Sequence, residues 1–367
     1  MSSSRATLMQ VAERAGVSLA STSRALHGTG ASRAMVDRVR AAAAELGYSP
    51  DAIGRSLRMK RTFQVAFAVA DIGNPVYVEM LTAIHEVLAP HGYRVVVMST
   101  GHTVASTIDL VRSLGSGFVD GLIVSPLRTD DELVKAIQQA PVPVVVIGRS
   151  LEKQGIDSVS TDSAAGLGQA VAHLVEIGRR RIGFVNGPLD TTPGAARQRG
   201  FDAATSGPAF AGDHAETEQA DDFTVAAGLA AARRLLSRTP AAGPFDAVVA
   251  ANDLLAIGVI RAAGELGLSV PGALAITGMD DTEIGRVFQP SLTSVSLGSA
   301  ERGRAAARLV LDRVGDVVEP AQQIAIGPHL VVRESTLPAD PPAATPADLP
   351  GAEDVAGPPA SKEKSAR

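Results

Sequence analysis

A chain of 367 residues, 45% of them hydrophobic, is long enough for more than one domain and can bury a sizeable core. It has no cysteine, which excludes disulfides and thiolate metal sites and fits a reducing compartment. The net charge of -5 argues against nucleic acid until its distribution is read: residues 1–62 hold ten Lys/Arg against four Asp/Glu, leaving 24 against 35 for the remainder. Such a basic head on an acidic body predicts polyanion binding confined to one end. The start, MSSSRATLMQ, lacks the apolar run of a signal peptide, and no stretch approaches the roughly 20 apolar residues of a membrane span. A cytoplasmic protein is expected.

Residues 1–49 read as an all-α head. Thr7-Leu8-Met9-Gln10 has capping-box spacing and opens a helix with Leu8, Val11, Ala12 and Ala15 on one face. Gly16 permits a sharp turn, Val17 plugs its corner, and Ser18 caps a second helix over 19–27. A third helix starts at Ser32, buries Met35, Val36, Val39, Ala43 and Leu46, and stops at Gly47. Two short helices crossing at a glycine-containing turn define a helix-turn-helix, whose second helix enters the major groove. A purely structural three-helix bundle has the same pattern, but the basic charge favours DNA. Arg24 is the candidate for a bidentate guanine contact. Leu19, Ala20 and Ser21 occupy the leading edge, where they meet thymine methyls; Thr7, Ser18, Ser23 and His27 complete the DNA-facing set. The alternative for each of these is an ordinary exposed side chain.

From residue 63 the pattern changes. Apolar runs at 64–70, 94–98, 120–125, 142–147, 181–185, 247–251 and 273–277 read as strands buried on both faces of parallel sheets. Helices are predicted at 76–89, 103–115, 163–177, 224–237, 253–266 and 299–314. About ten strands are too many for one sheet, so two α/β lobes are expected. Open α/β sheets bind ligands at the carboxyl ends of their strands, where Ser125, Gly148-Arg149, Asn252 and Asp280 fall. Residues 338–367, rich in Pro and Ala, are predicted to be a disordered tail.

Taken together, TLMQVAERAGVSLASTSRALHG, NPVYVEMLTAIHEVLAPHGYRV, DGLIVSP, GPLDTTPGAARQRGF, ANDLLAIGVIRAAGELGLSVP, ITGMDD, PSLTSV and VVREST resemble, in order, the lactose/purine/galactose (LacI/GalR) repressor family. The resemblance implies a DNA-binding homodimer, expected to act as a repressor. It also implies a periplasmic-binding-protein-like body over 63–337 that takes a small polar effector between its lobes. The N-lobe is expected at 63–161 and 291–322, the C-lobe at 162–290 and 323–337. Residues 50–62 correspond to the hinge helix (50–59) and linker, with Ile53, Gly54 and Leu57 at the minor groove and Leu57 as the wedge between base pairs. The alternative for Leu57 is packing within a linker.

The same resemblance implies that Arg197, Asn252, Asp280 and Phe223 contact the effector from one lobe and Tyr77 from the other. Arg197 and Asp280 as a plain ion pair, or Asn252-Asp253 as a cap of the following helix, is the alternative use of these residues. Some positions depart from the family pattern: Gly54, His27 and Thr22 in the head and hinge, Val76 and Gly148 in the body. With no Trp and 3% aromatic residues, a ligand gripped mainly by hydrogen bonds is expected. No GxGxxG, Walker A or GxSxG sequence occurs, and the seven His are scattered singly, so no enzyme, metal or cofactor is expected.

Overall fold

The computed structural model describes residues 6–27, 30–48, 61–114, 117–207, 210, 213–238, 240–317 and 319–337. The hinge residues Ile53, Gly54 and Leu57 and the tail 338–367 lie outside them.

Three helices form the head: α1 (Leu8–Ala15), α2 (Leu19–His27) and α3 (Arg33–Glu45). Both halves of the capping box form, with Thr7 N donating to Gln10 Oε1 at 2.8 Å and Gln10 N to Thr7 Oγ1 at 3.3 Å. Gly16 ends α1 at φ 64°, a left-handed conformation that a β-carbon would strain. Val11, Ala15, Ala25, Val39, Ala42 and Ala43 make the bundle's core. Leu46, expected inside, is 37% exposed. Gly47 turns the chain back at φ 59°, so that Tyr48 N reaches Ala43 O at 2.8 Å and the tyrosine covers the core instead. Thr22 is fully buried at an expected apolar position, and its hydroxyl donates to Ser18 O at 3.1 Å, which removes the cost of an orphaned donor.

The body follows in chain order as β1 (Gln64–Val69), α4 (Pro75–Leu88), β2 (Arg94–Ser99), α5 (Val104–Ser113), β3 (Gly121–Ser125), α6 (Asp131–Gln138), β4 (Val144–Gly148), β5 (Asp157–Thr161), α7 (Ser163–Glu176), β6 (Arg181–Asn186), α8 (Thr192–Thr205), β7 (His214–Gln219), α9 (Val225–Leu236), β8 (Ala247–Ala250), α10 (Asp253–Glu265), β9 (Ala275–Met279), α11 (Glu283–Val287), β10 (Thr293–Ser296), α12 (Ser299–Val314), β11 (Gln323–Ile326) and β12 (His329–Val331). Two six-stranded sheets result, ordered β11-β5-β4-β3-β1-β2 and β12-β10-β9-β8-β6-β7. Every pairing is parallel except β10 with β12. In β1 the alternation of the pleat sends Val65, Phe67 and Val69 into one core and Ala66 and Ala68 into another, which is why the run reads as apolar throughout.

The chain divides into two units, Met1–Asp162 with Asp190–Ala195 and Leu297–Pro328, and Ser163–Leu189 with Ala196–Ser296 and His329–Arg367. Two expected crossings therefore move. The one placed at 290/291 falls after β10, because β10 pairs with β9 in the second sheet; the one placed at 322/323 falls after β11, because β11 pairs with β5 in the first. Several elements lacked an apolar signature. β5 (DSVST) is nearly all buried, its Asp157 paired with Arg313 at 2.6 Å and its Ser158 Oγ accepting from Leu151 N. β7 (HAETEQ) is an edge strand whose Glu216 and Glu218 pair with Arg238 and Arg234.

Residues 61–63 lead into β1 under a tight clamp. Asp120 accepts from Thr62 N, Thr62 Oγ1 and Phe63 N at 2.7, 2.8 and 2.9 Å, and Arg61 Nη2 donates to Val314 O at 2.8 Å. Phe63 is held at φ 55°, an unfavourable conformation for an aromatic residue. Among the described residues no helix is long and apolar enough to cross a membrane.

Candidate functional site

On the head, the side chains predicted to meet DNA fall into two groups. Leu19 is 50% exposed, and Ala20 and Arg24 are exposed with it on α2, so these three present free surface. Ser18, Ser21 and Thr7 are partly engaged in the fold. Ser18 Oγ accepts from Ser21 N at 3.2 Å as the cap of α2 and lies 2.9 Å from Ser21 Oγ, while Thr7 caps α1. Arg24 Nη2 rests 3.4 Å from Ser21 Oγ, a weak contact that leaves the guanidinium available. Ser23 is half-buried, and the side chain of His27 lies outside the described part of the chain.

The second unit brings four predicted residues together. Arg197 comes from α8, Phe223 from the loop after β7, Asn252 from the end of β8, and Asp280 from the residue after β9. This is the carboxyl-end placement that parallel sheets dictate. Arg197 Nη2 and Asp280 Oδ1 are 3.5 Å apart with both side chains 7% exposed. Charge-assisted pairs close to 2.7–2.9 Å when nothing opposes them. Among the described residues Arg197 Nε has no hydrogen-bond partner, and the guanidinium carbon lies 5.8 Å from the centre of the Phe223 ring. Gly187 makes room for that ring, since a β-carbon there would sit 2.4 Å from it. Asn252 serves as the cap foreseen as its alternative role: Oδ1 accepts from Leu255 N at 2.9 Å, and Nδ2 donates to Phe223 O at 3.1 Å, tying the aromatic loop to α10.

A guanidinium beside a carboxylate offers donors and acceptors at adjacent points, the pattern that vicinal hydroxyls satisfy. An aromatic ring alongside supplies an apolar face. Tyr77 and Ser125 belong to the first unit. Tyr77 packs on its core, 6.3 Å from Phe67 between ring centres, and Ser125 is the half-buried last residue of β3.

Sequence reasoning saw Asp253 as part of a helix cap and missed how Asp253 and Asp281 support this constellation from behind. Asp280 and Asp281 have φ of 105° and 51°, two consecutive non-glycine residues in strained conformations. Asp281 is pinned by Arg333 at 2.6 Å and Arg286 at 3.3 Å. Asp253, the first residue of α10, is buried beneath them; burial and the nearby Asp280 charge push its carboxyl up to about 7. The one legible signal was an acid opening the otherwise apolar run DLLAIGV. A carboxyl raised in the folded state contributes stability that is fully present below its ordinary value of 3.8 and is lost as pH rises through about 7. Wild type is therefore expected to lose stability relative to Asp253→Asn between pH 5 and 8, by on the order of 2–4 kcal/mol, in paired thermal melts. Parallel pH profiles for the two proteins would contradict this.

A helix-turn-helix head joined to a two-unit, parallel-sheet body with a ligand-type constellation defines a ligand-responsive DNA-binding regulator. Comparison with known proteins agrees. Residues 7–51 match the family described as bacterial regulatory proteins, lacI family, and residues 171–336 match the periplasmic binding protein-like domain. The HTH-type transcriptional regulator CelR of Thermobifida fusca is 34% identical over 340 residues, covering 90% of this chain and 98% of the relative. The ribose operon repressor of Halalkalibacterium halodurans is 30% identical over 336 residues, covering 90% and 97%. Among solved structures, a lac repressor dimer bound to operator and an anti-inducer aligns with a TM-score of 0.78 at 26% identity, covering 91% of this chain and 99% of that one. A CelR–cellobiose complex aligns with a TM-score of 0.66 at 32% identity, covering 90% and 100%. The chain belongs to the lacI family of bacterial regulatory proteins and is a DNA-binding transcriptional regulator.

Proposed function

We propose that this protein is a cytoplasmic repressor that holds an operator through α2 and the 50–62 segment as a homodimer, and that a small saccharide or related polyol at the Arg197–Asp280–Phe223 constellation sets its DNA affinity. The observation that carries the effector half is the Arg197–Asp280 pair, buried side by side at 3.5 Å, with Arg197 Nε unpartnered among the described residues. A buried donor without a partner costs about 1–3 kcal/mol, which a ligand hydroxyl or ring oxygen would recover. The relatives support the same class, since one solved relative is complexed with cellobiose and another relative is named for a ribose operon. This reading calls for no metal, cofactor or chemical step. Ligand binding shifts operator affinity by no more than its differential affinity for the two states of the protein.

A thermal-shift screen over mono- and disaccharides tests the effector. A saccharide that binds stabilises by RT ln(1 + [L]/Kd), so at about 100 times Kd it contributes near 2.7 kcal/mol and a rise of several degrees. No shift with any sugar or polyol would set aside the saccharide class. On the DNA side, Leu57→Ala is expected to weaken specific operator binding at least tenfold while saccharide binding stays unchanged, because a wedging side chain makes bent DNA favourable. Unchanged operator affinity in a gel shift would remove the wedge.

A further inference from the structure

We infer that Asp253 is a positioning residue for the effector site, a buried carboxylate that fastens the strained turn on which Asp280 faces the ligand. The inference rests on the proposed reading of Arg197 and Asp280 as effector contacts. Its geometry is continuous. Asp253 Oδ2 accepts from Thr282 N at 2.7 Å and from Thr282 Oγ1 at 2.8 Å. Asp253 Oδ1 accepts from Ser294 Oγ at 2.6 Å, and Ser294 Oγ in turn accepts from Asp281 N at 3.0 Å. Both amides that follow Asp280 are thus held by one carboxylate, directly or through a serine. Asp280 N itself donates to Val295 O at 2.8 Å.

The carboxylate cannot drift, because it opens α10 where Asn252 caps that helix and because Gly278 and Gly285 wall it in closely. Residues at φ of 105° and 51° persist only where surrounding contacts over-determine them. Burying an acid this deeply is unfavourable, so helix capping alone, which Asn252 already provides, does not account for it.

The charged groups around it are Asp280, which faces it, Arg197 on Asp280, and Asp281 with Arg286 and Arg333. The arginines pair with Asp280 and Asp281, so among the described residues Asp253 is held by hydroxyl and amide donors. Burial and the Asp280 charge push its carboxyl up to about 7.

The test uses the full chain as wild type, Asp253→Asn and Asp253→Ala. Amide hydrogen exchange, corrected for intrinsic rate, is read over 280–283 with β8 as internal reference, and the affinity of the saccharide that gives the largest wild-type thermal shift is measured by calorimetry. Asp253→Ala is expected to speed exchange over 280–283 about tenfold without changing β8, and to weaken saccharide binding by a similar factor. Asp253→Asn, which keeps an acceptor for Thr282 N, should restore most of both. In wild type, protection over 280–283 should fall as pH rises through about 7, since the held carboxyl binds its proton more tightly than a released one, and in Asp253→Asn that step should vanish. Unchanged exchange in Asp253→Ala, or a pH step that survives in Asp253→Asn, overturns the inference; should the alanine variant not fold, the asparagine pH profile decides alone. Normal saccharide affinity on a loosened turn also overturns it. If no saccharide shifts wild type, the effector reading fails while the exchange data still decide whether Asp253 holds the turn.

Discussion

Replacing Arg197 by alanine is expected to weaken effector binding about a hundredfold or more while operator binding without effector stays within a few-fold of wild type. The guanidinium is buried beside Asp280 and against Phe223, and its Nε lacks a partner among the described residues. Removing it deletes two or more charge-assisted hydrogen bonds to a bound hydroxyl, worth roughly 1.5–3 kcal/mol each. It also leaves Asp280 without its guanidinium neighbour, which costs some stability. The 3.5 Å separation marks that pair as loose, so the folded state should survive. Calorimetry with a wild-type-binding saccharide, beside a circular-dichroism melt, separates the two effects. Affinity within threefold of wild type in a folded Arg197→Ala protein would remove the residue from the site.

The second large effect is expected at Arg24. On α2 it is exposed, and its guanidinium makes a weak 3.4 Å approach to Ser21 Oγ. The helix therefore presents a guanidinium whose transfer to a guanine edge sacrifices little. Arg24→Ala should cost about 1–3 kcal/mol in operator affinity and relax discrimination at one base pair, because a bidentate arginine–guanine contact carries specificity. An equal loss on operator and random duplex would reassign Arg24 to a phosphate. Stability should change by less than about 0.5 kcal/mol, as for an exposed side chain.

The head was legible in the sequence because each of its signals is local. A capping box, a left-handed glycine and a serine cap fix α1 and α2 within a dozen residues, and all three form. Tertiary packing decided what those signals could not, as Tyr48 displaced Leu46 from the core and Thr22 satisfied its hydroxyl on its own helix. In the body, strands buried on both faces announced themselves by apolar composition, whereas β5 and β7 hid behind ion pairs and hydrogen bonds with distant residues. The lobe crossings were misplaced for a related reason. β10 and β11 are four residues each and carry no mark of which sheet will pair with them.

The Arg197–Asp280–Phe223 constellation was half readable as a cluster. Arg197 and Asp280 followed from motif position, and Asn252 had both of its readings in view. The support behind them, Asp253 with Thr282 and Ser294, depends on three segments meeting in space, and no spacing rule joins residues 253, 282 and 294. A buried acid at the start of an apolar helix is the trace such a device leaves in a sequence.

The account stands most directly on one titration: fluorescence anisotropy of a labelled duplex from the protein's own upstream DNA, across a salt series, with and without the stabilising saccharide. Binding that weakens steeply with salt, with a log–log slope of about -0.9 per neutralised phosphate, and a saccharide-induced change in Kd of about fivefold or more are the predicted results. A chain that ignores duplex DNA at low salt, or whose Kd is indifferent to a saccharide it demonstrably binds, would contradict the coupling of a basic head to a sensing body.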